Sequence, residues 1–79
     1  MTNKYLKRIK AIIIEKTGTD PEELHDDSYF EDDLNVSEME LVELIAAIEE
    51  EYDIEFDEEE KENIFAVMDL VELVTEKLE

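Results

Sequence analysis

Residues 34–52 read LNVSEMELVELIAAIEEEY, and this stretch predicts a helix that begins just after residue 37. Ser37 is a favourable N-cap residue, and Glu40 lies three positions later, which completes the S-x-x-E pattern of a capping box. Apolar residues recur at helical spacing along one face: Leu41, Leu44, Ile45, Ile48 and Tyr52. The other face carries Glu40, Glu43, Glu50 and Glu51. We therefore expect an acidic amphipathic helix over residues 38–52 at the centre of the molecule.

A second amphipathic helix is predicted over residues 3–16, with Thr2 as its N-cap. Its apolar stripe consists of Tyr5, Leu6, Ile9, Ile12 and Ile13, and its other side carries Lys7, Arg8 and Lys10. Gly18 follows the helix and suits the left-handed conformation that commonly ends one. The connection over residues 19–36 starts with an Asp-Pro-Glu-Glu pattern that predicts one helical turn closing on Leu24. Phe30 and Leu34 are expected to anchor this connection in the core, because a long loop in a small domain needs anchors.

The part of the chain after residue 52 predicts two more helices. Asp57 and Glu60 form a capping-box pattern for a short helix over residues 58–63, after a linker in which Ile54 and Phe56 turn inward. A last helix is expected over residues 67–78, with its buried stripe at Val67, Leu70, Val71, Val74 and Leu78, and with Ile64 and Phe65 in the core beside it. No alternating strand pattern or hairpin signal is present. The predicted fold is all-α, a small four-helix bundle of three longer helices and one short helix, in which residues 1–79 form one domain.

Acidic residues dominate the charge of this chain. Its 79 residues carry a formal net charge of −19, and from residue 17 onward two basic residues face 25 acidic ones, a net charge of −23. Such a surface repels the phosphates of nucleic acid. It complements a partner protein with a basic patch, although a role in solubility alone is the simpler explanation. Repulsion among so many carboxylates also predicts that their pKa values rise on folding.

Several other kinds of function are disfavoured. The chain has no cysteine, which excludes disulfides and thiolate metal sites. It has no apolar run long enough for a membrane span and no signal-peptide pattern, so we expect a cytoplasmic monomer. Asp26, Asp27, Asp32 and Asp33 lack the spacing of a calcium loop, and no dedicated metal site is expected. His25 is the single histidine and belongs to no nucleophile–base pattern, so we expect neither catalytic residues nor enzymatic activity.

The order of these elements and their motifs resembles an acyl carrier protein. The resemblance runs without a gap from the first helix to the last, and it rests on residues 9–13, Gly18, residues 20–24, 30–34, 42–44 and 49–55, and Ile64 with Val67. In that family the signature Leu-Gly-x-Asp-Ser-Leu starts the second helix, and its serine carries a 4′-phosphopantetheine arm. Residues 34–39 read LNVSEM, which places Ser37 at the family's aspartate and Glu38 at its serine. A carboxylate cannot form the stable phosphodiester that holds this arm.

Three interpretations of this first turn follow from the resemblance. In the first, the fold has lost its arm, carries no cofactor, and docks on enzymes of fatty-acid, polyketide or related acyl metabolism. In the second, Ser37 takes the arm, although a shift of one residue rotates the attachment point by about 100°. In the third, which is compatible with the first, Ser37 is only a helix cap. A non-acyl interaction module with the same fold is a further alternative.

The expected partner-docking residues lie on the central helix. The set comprises Met39, Glu40, Val42, Glu43, Ala46, Glu50 and Glu51. Its acids would face a basic patch, and its apolar members lie toward the side that family members present to partners. For Met39 and Val42, a place in the core is the alternative.

Overall fold

The computed structural model, which describes residues 4–79, has four α-helices at the places that the apolar patterns indicate. Helix α1 spans Leu6–Thr17, α2 spans Glu38–Tyr52, α3 spans Glu58–Glu62 and α4 spans Val67–Leu78. The predicted bounds of α2 and α4 are confirmed, and α3 ends one residue earlier than predicted. The prediction that α1 begins at residue 3 was wrong, because residues 4 and 5 form a turn before it; the predicted cap Thr2 lies outside the described residues. The all-α fold class is confirmed.

The ends of these helices form where the local sequence signals place them. Gly18 ends α1 in the left-handed conformation, with φ of 73°. At the start of α2, the Glu40 N–H donates to Ser37 Oγ at 3.2 Å, and the Ser37 N–H donates to Glu40 Oε1 at 3.1 Å. Asp57 and Glu60 make the same reciprocal pair at the start of α3, at 2.8 and 2.9 Å. Both capping boxes are therefore confirmed, and each satisfies N–H groups that a helix start leaves unpaired.

One hydrophobic cluster unites the helices and the long connection. The predicted core residues that are buried include Ile9, Ile12, Ile13, Phe30, Leu44, Ile48, Ile64, Val67 and Val71. Leu34 and Ile54 were also predicted there but are only half-buried at its edge. Val36 is buried at 4% exposure instead of Leu34, because Asn35 has a positive φ of 54° that turns the chain between them. Most of the predicted core is confirmed.

The connection between α1 and α2 is tied to the segment that precedes α4. The Phe30 N–H donates to the Phe65 carbonyl oxygen at 2.9 Å, and Tyr29 and Ala66 form an isolated antiparallel bridge. The Phe30 side chain is 1% exposed, so its predicted role as an anchor is confirmed. The turn predicted over residues 20–24 is also present. These contacts bring the middle of the connection against the α3–α4 junction.

Two residues that were predicted to be buried are exposed. Leu78, in the last turn of α4, is 38% exposed, and Phe65 is 60% exposed. The Phe65 N–H donates to Asp69 Oδ2 at 2.9 Å, while its carbonyl accepts the bond from Phe30. These main-chain bonds orient the segment so that its neighbours at positions 64 and 67 enter the core and Phe65 faces outward.

Hydrogen bonds from Tyr5 and Arg8 lower the pKa values of two carboxylates. The Arg8 guanidinium donates to Glu51 Oε1 at 3.0 Å, and this hydrogen bond lowers the pKa of Glu51. The Tyr5 hydroxyl donates to Glu79 Oε2 at 2.6 Å and lowers the pKa of Glu79. Net charge predicted a rise, and that expectation is wrong for these two groups because a hydrogen-bond donor within 3 Å outweighs distant, screened repulsion.

Ile48 tests the inward face of α2, because its side chain is fully buried. We expect Ile48→Ala to lower the free energy of unfolding by about 2–5 kcal/mol, since it removes buried apolar atoms and leaves a cavity. Urea denaturation measures the loss. Val42→Ala is the control on the exposed face of the same helix and should change the free energy by less than about 0.5 kcal/mol. Equal effects from the two substitutions would show that α2 presents a different face to the core.

Candidate functional site

The candidate site lies at the first turn of α2, where Ser37 is held by main-chain and side-chain bonds. Ser37 has an extended backbone, with φ of −72° and ψ of 163°, and its side chain accepts the Glu40 N–H. The Glu40 carboxylate returns a bond to the Ser37 N–H. The capping role that the sequence predicted for Ser37 is therefore confirmed. Ser37 is exposed, but its hydroxyl oxygen already accepts the hydrogen bond that stabilises the start of the helix.

Glu38 is the first residue of α2, and it is exposed. A negative charge in the first turn interacts favourably with the helix dipole, by about 0.3–1 kcal/mol, so this position suits an acid physically. Glu38 lines a cavity of about 560 Å³ between the long connection, α2 and the α3–α4 junction. It also lines a neighbouring cavity of about 350 Å³ along α2. An anionic group at this position therefore lies beside two surface cavities.

Three apolar residues of the predicted docking surface are exposed on α2. Met39 is 74% exposed and Val42 is 61% exposed, and Ala46 is exposed one turn further along. The alternative that Met39 and Val42 line the core is therefore wrong. Their position follows from the helical rotation that turns Leu44 and Ile48 inward. The exposed face of α2 thus has an apolar strip of small area.

The four acids predicted for docking are not equivalent. Glu43 and Glu50 are exposed, and within residues 4–79 neither takes part in an ion pair. Glu40 is half-buried and belongs to the capping box, whereas Glu51 is paired with Arg8. A basic partner would have to compete with these existing bonds. The acids that are available for an intermolecular contact are therefore Glu43 and Glu50.

The histidine and the paired acids form no recognisable centre of chemistry. His25 is exposed, and its main-chain N–H donates to the Oγ atom of the buried Ser28 at 3.0 Å. This is a turn contact rather than a pairing of an imidazole with a hydroxyl. In the described part of the chain, no three His, Cys, Asp or Glu side chains are grouped so that they could hold a metal ion. Over the same residues, no helix has both the length and the apolar character that a membrane crossing requires.

Sequence reasoning missed two exposed aromatic residues next to Glu38. Tyr29 is 52% exposed and Phe65 is 60% exposed, and both line the larger cavity. No local signal identifies Phe65 as exposed, because its orientation depends on the hydrogen bond from the Phe30 N–H to its carbonyl oxygen at 2.9 Å. Asp69 Oδ2 accepts the N–H groups of both Phe65 and Ala66 at 2.9 Å, which agrees with the helix start already predicted at residue 67.

Comparison with known proteins agrees with this fold. Residues 7–74 match the family model described as "Phosphopantetheine attachment site". The chain is also 42% identical over 72 residues to the acyl carrier protein of Caulobacter vibrioides (strain NA1000 / CB15N), which covers 91% of this chain and 92% of that protein. This chain belongs to the acyl carrier protein family. Members of this family are carriers rather than catalysts, so the chain is not an enzyme.

The capping role of Ser37 can be tested by stability measurements. We expect Ser37→Ala to lower the free energy of unfolding by about 0.5–2 kcal/mol, because the Glu40 N–H loses its acceptor. Ser37→Asn should retain most of the stability, since asparagine is an equally good N-cap. Urea denaturation of the three proteins gives the comparison. If alanine proves as stable as serine, the hydroxyl contributes nothing as a cap.

Proposed function

We propose that this chain is an acyl-carrier-type protein without a phosphopantetheine arm, which docks on enzymes of acyl metabolism through the exposed face of α2. The observation that carries the proposal is Glu38 at the family's serine position in the ungapped register. The family match covers residues 7–74 and includes this turn. Ser37, the nearest hydroxyl, is engaged as the helix cap.

The proposed docking surface combines an apolar strip with flanking acids. Met39 and Val42 supply exposed apolar area, and Glu43 and Glu50 supply carboxylates outside the ion pairs of the described residues. Apolar contacts in the middle with charges at the rim are the usual composition of a protein interface. Glu38 adds an anion near the place where the family has an anionic phosphate. A basic partner surface that recognises a phosphate would therefore meet a carboxylate here.

A functional carrier with 4′-phosphopantetheine on Ser37 is the second candidate. Its support is that Ser37 is exposed and has a non-helical backbone, so its hydroxyl is sterically accessible. The family match is equally compatible with this candidate. Against it stand the rotation of about 100° per residue at a helix start and the role of the hydroxyl oxygen as a cap acceptor. We therefore place it after the arm-free protein.

The proposed working form is a cytoplasmic monomer. Its small docking surface is suited to transient contacts with larger enzymes, for which weak interfaces of limited area are common. A module of the same fold with partners outside acyl metabolism would use the same face of α2 but would not bind carrier-dependent enzymes. Binding to a purified enzyme of acyl metabolism distinguishes these two roles.

Intact-mass spectrometry tests whether the arm is absent. We expect the wild-type protein to keep its mass after incubation with coenzyme A and a broad-specificity phosphopantetheinyl transferase, because Glu38 offers no hydroxyl. The double variant Ser37→Asp with Glu38→Ser restores the family's Asp-Ser pair and should gain a phosphopantetheine adduct. This variant also shows that the transferase is active on the fold. An adduct on the wild type that maps to Ser37 and disappears in Ser37→Asn would overturn the proposal, because asparagine retains the cap without a hydroxyl.

Charge reversal tests the docking face. We expect Glu43→Lys with Glu50→Lys to reduce the association rate constant for a purified enzyme of acyl metabolism with a basic docking patch by at least about tenfold at low salt, because rim charges act chiefly by steering. Surface plasmon resonance measures the rate. The matched control is Glu59→Lys with Glu76→Lys, which makes the same charge change beside a cavity formed by α3 and α4. Equal slowing by both pairs would indicate an effect of net charge alone.

A further inference from the structure

The cavity of about 560 Å³ beside Glu38 has two exposed aromatic side chains in its lining. These are Tyr29 and Phe65, at 52% and 60% exposure. The Phe65 carbonyl oxygen accepts a hydrogen bond from the Phe30 N–H, and Tyr29 forms an antiparallel bridge with Ala66. Main-chain bonds, rather than burial of the side chains, therefore fix the backbone positions from which the two rings project. The rings therefore lie at a constrained place without contributing much to the core.

The charges around this cavity are predominantly negative. Glu31, Asp32, Glu38 and Glu62 line it together with Lys61, which leaves a net charge of −3. The deeper lining is apolar and includes the buried Phe30 and Ile64. An acidic mouth over aromatic and aliphatic walls complements a cation that has a weakly hydrated, flat surface. It is a poor match for an anion or for an entirely apolar ligand.

We propose that this cavity receives an arginine side chain from a basic partner protein. The planar guanidinium stacks on the rings of Tyr29 and Phe65 and directs its N–H groups to carboxylates of the mouth, among them Glu38. Arginine fits better than lysine, because its charge is spread over a flat and weakly hydrated group that stacks on aromatic faces. The inference rests on the proposed function, since the partner is the enzyme that docks on α2. It adds a second contact, in the cavity beside the start of α2, and the chemistry of that contact.

Three features of this chain favour a cation despite the nearby helix N-terminus. The positive end of the α2 dipole would repel a guanidinium, but Glu38 and Glu40 both lie in its first turn and offset it. Lys61 is the one basic residue of the lining and is outnumbered by the four acids. The chain as a whole, with a net charge of −19, also attracts basic partners.

Two synthetic peptides of equal charge and length, LRRLLRRL and LKKLLKKL with blocked ends, test the preference for arginine. By isothermal titration calorimetry, we expect the arginine peptide to bind the wild-type chain about three- to fivefold more tightly than the lysine peptide, as an exposed cation–π contact would provide. In nuclear magnetic resonance spectra, the ring protons of Tyr29 and Phe65 should shift with the arginine peptide, while those of Tyr52 stay in place. Equal affinities, or unshifted rings at Tyr29 and Phe65, would overturn the proposal.

Matched variants locate the preference. The double variant Tyr29→Ser with Phe65→Thr should reduce the ratio of the affinities for the arginine and lysine peptides to about one. Its helical circular dichroism should persist, because the hydrogen bonds at these positions are made by the main chain. Tyr29→Leu with Phe65→Leu retains apolar area without rings and should also lose the ratio. Leu78→Ser removes exposed apolar area from the last turn of α4, outside both surfaces, and should leave the ratio unchanged. A ratio that survives the loss of both rings contradicts the proposed site.

Failure of the cavity proposal and failure of the arm-free proposal give different experimental results. The intact mass of the same wild-type preparation reports on phosphopantetheine, whereas the peptide ratio reports on the aromatic cavity. An unmodified protein with no arginine preference overturns the cavity proposal and leaves the arm-free docking protein standing. A modified protein that still prefers arginine overturns the absence of the arm and supports the cavity.

Discussion

The reciprocal hydrogen bonds between Ser37 and Glu40 fix the residue at which α2 begins, and the candidate site depends on that starting point. The apolar spacing of α2 places Leu44 and Ile48 in the hydrophobic cluster and leaves Met39 exposed. The capping box supplies partners for N–H groups that the start of a helix leaves unpaired, so it stabilises the turn that carries Glu38.

The same hydrogen bonds stabilise the first turn of α2 without involving the side chain of Glu38. Glu38 needs no partner from the core, and its charge is favourable at a helix start. The hydroxyl oxygen of Ser37 accepts the Glu40 N–H and caps the helix. The α2 surface of the proposed arm-free protein therefore does not depend on a hydroxyl at position 38. In that proposal, the carboxylate of Glu38 supplies an anion near the place where the family has a phosphate.

Acidity has different consequences at different positions of this chain. At Glu51, a hydrogen bond from the Arg8 guanidinium lowers the pKa, and this charge contributes to a contact within the fold. Glu43 and Glu50 have no ion pair among the described residues, and their charges face solvent or a partner. The acids around the Tyr29–Phe65 cavity form a third group, because they surround exposed rings. Net charge alone could not separate these groups.

Local sequence by itself determined the four helices, both capping boxes, the turn at Gly18 and most of the core, because helix starts and apolar periodicity are properties of neighbouring residues. The proposal that Glu38 occupies the attachment position also comes from sequence alone, through the ungapped resemblance. Only the tertiary structure decided that Val36 rather than Leu34 is fully buried, since this depends on the positive φ of Asn35. Tertiary contacts also turned Phe65 outward: its main chain bonds to Phe30, which is 35 positions away in sequence, and no local pattern contains that pairing.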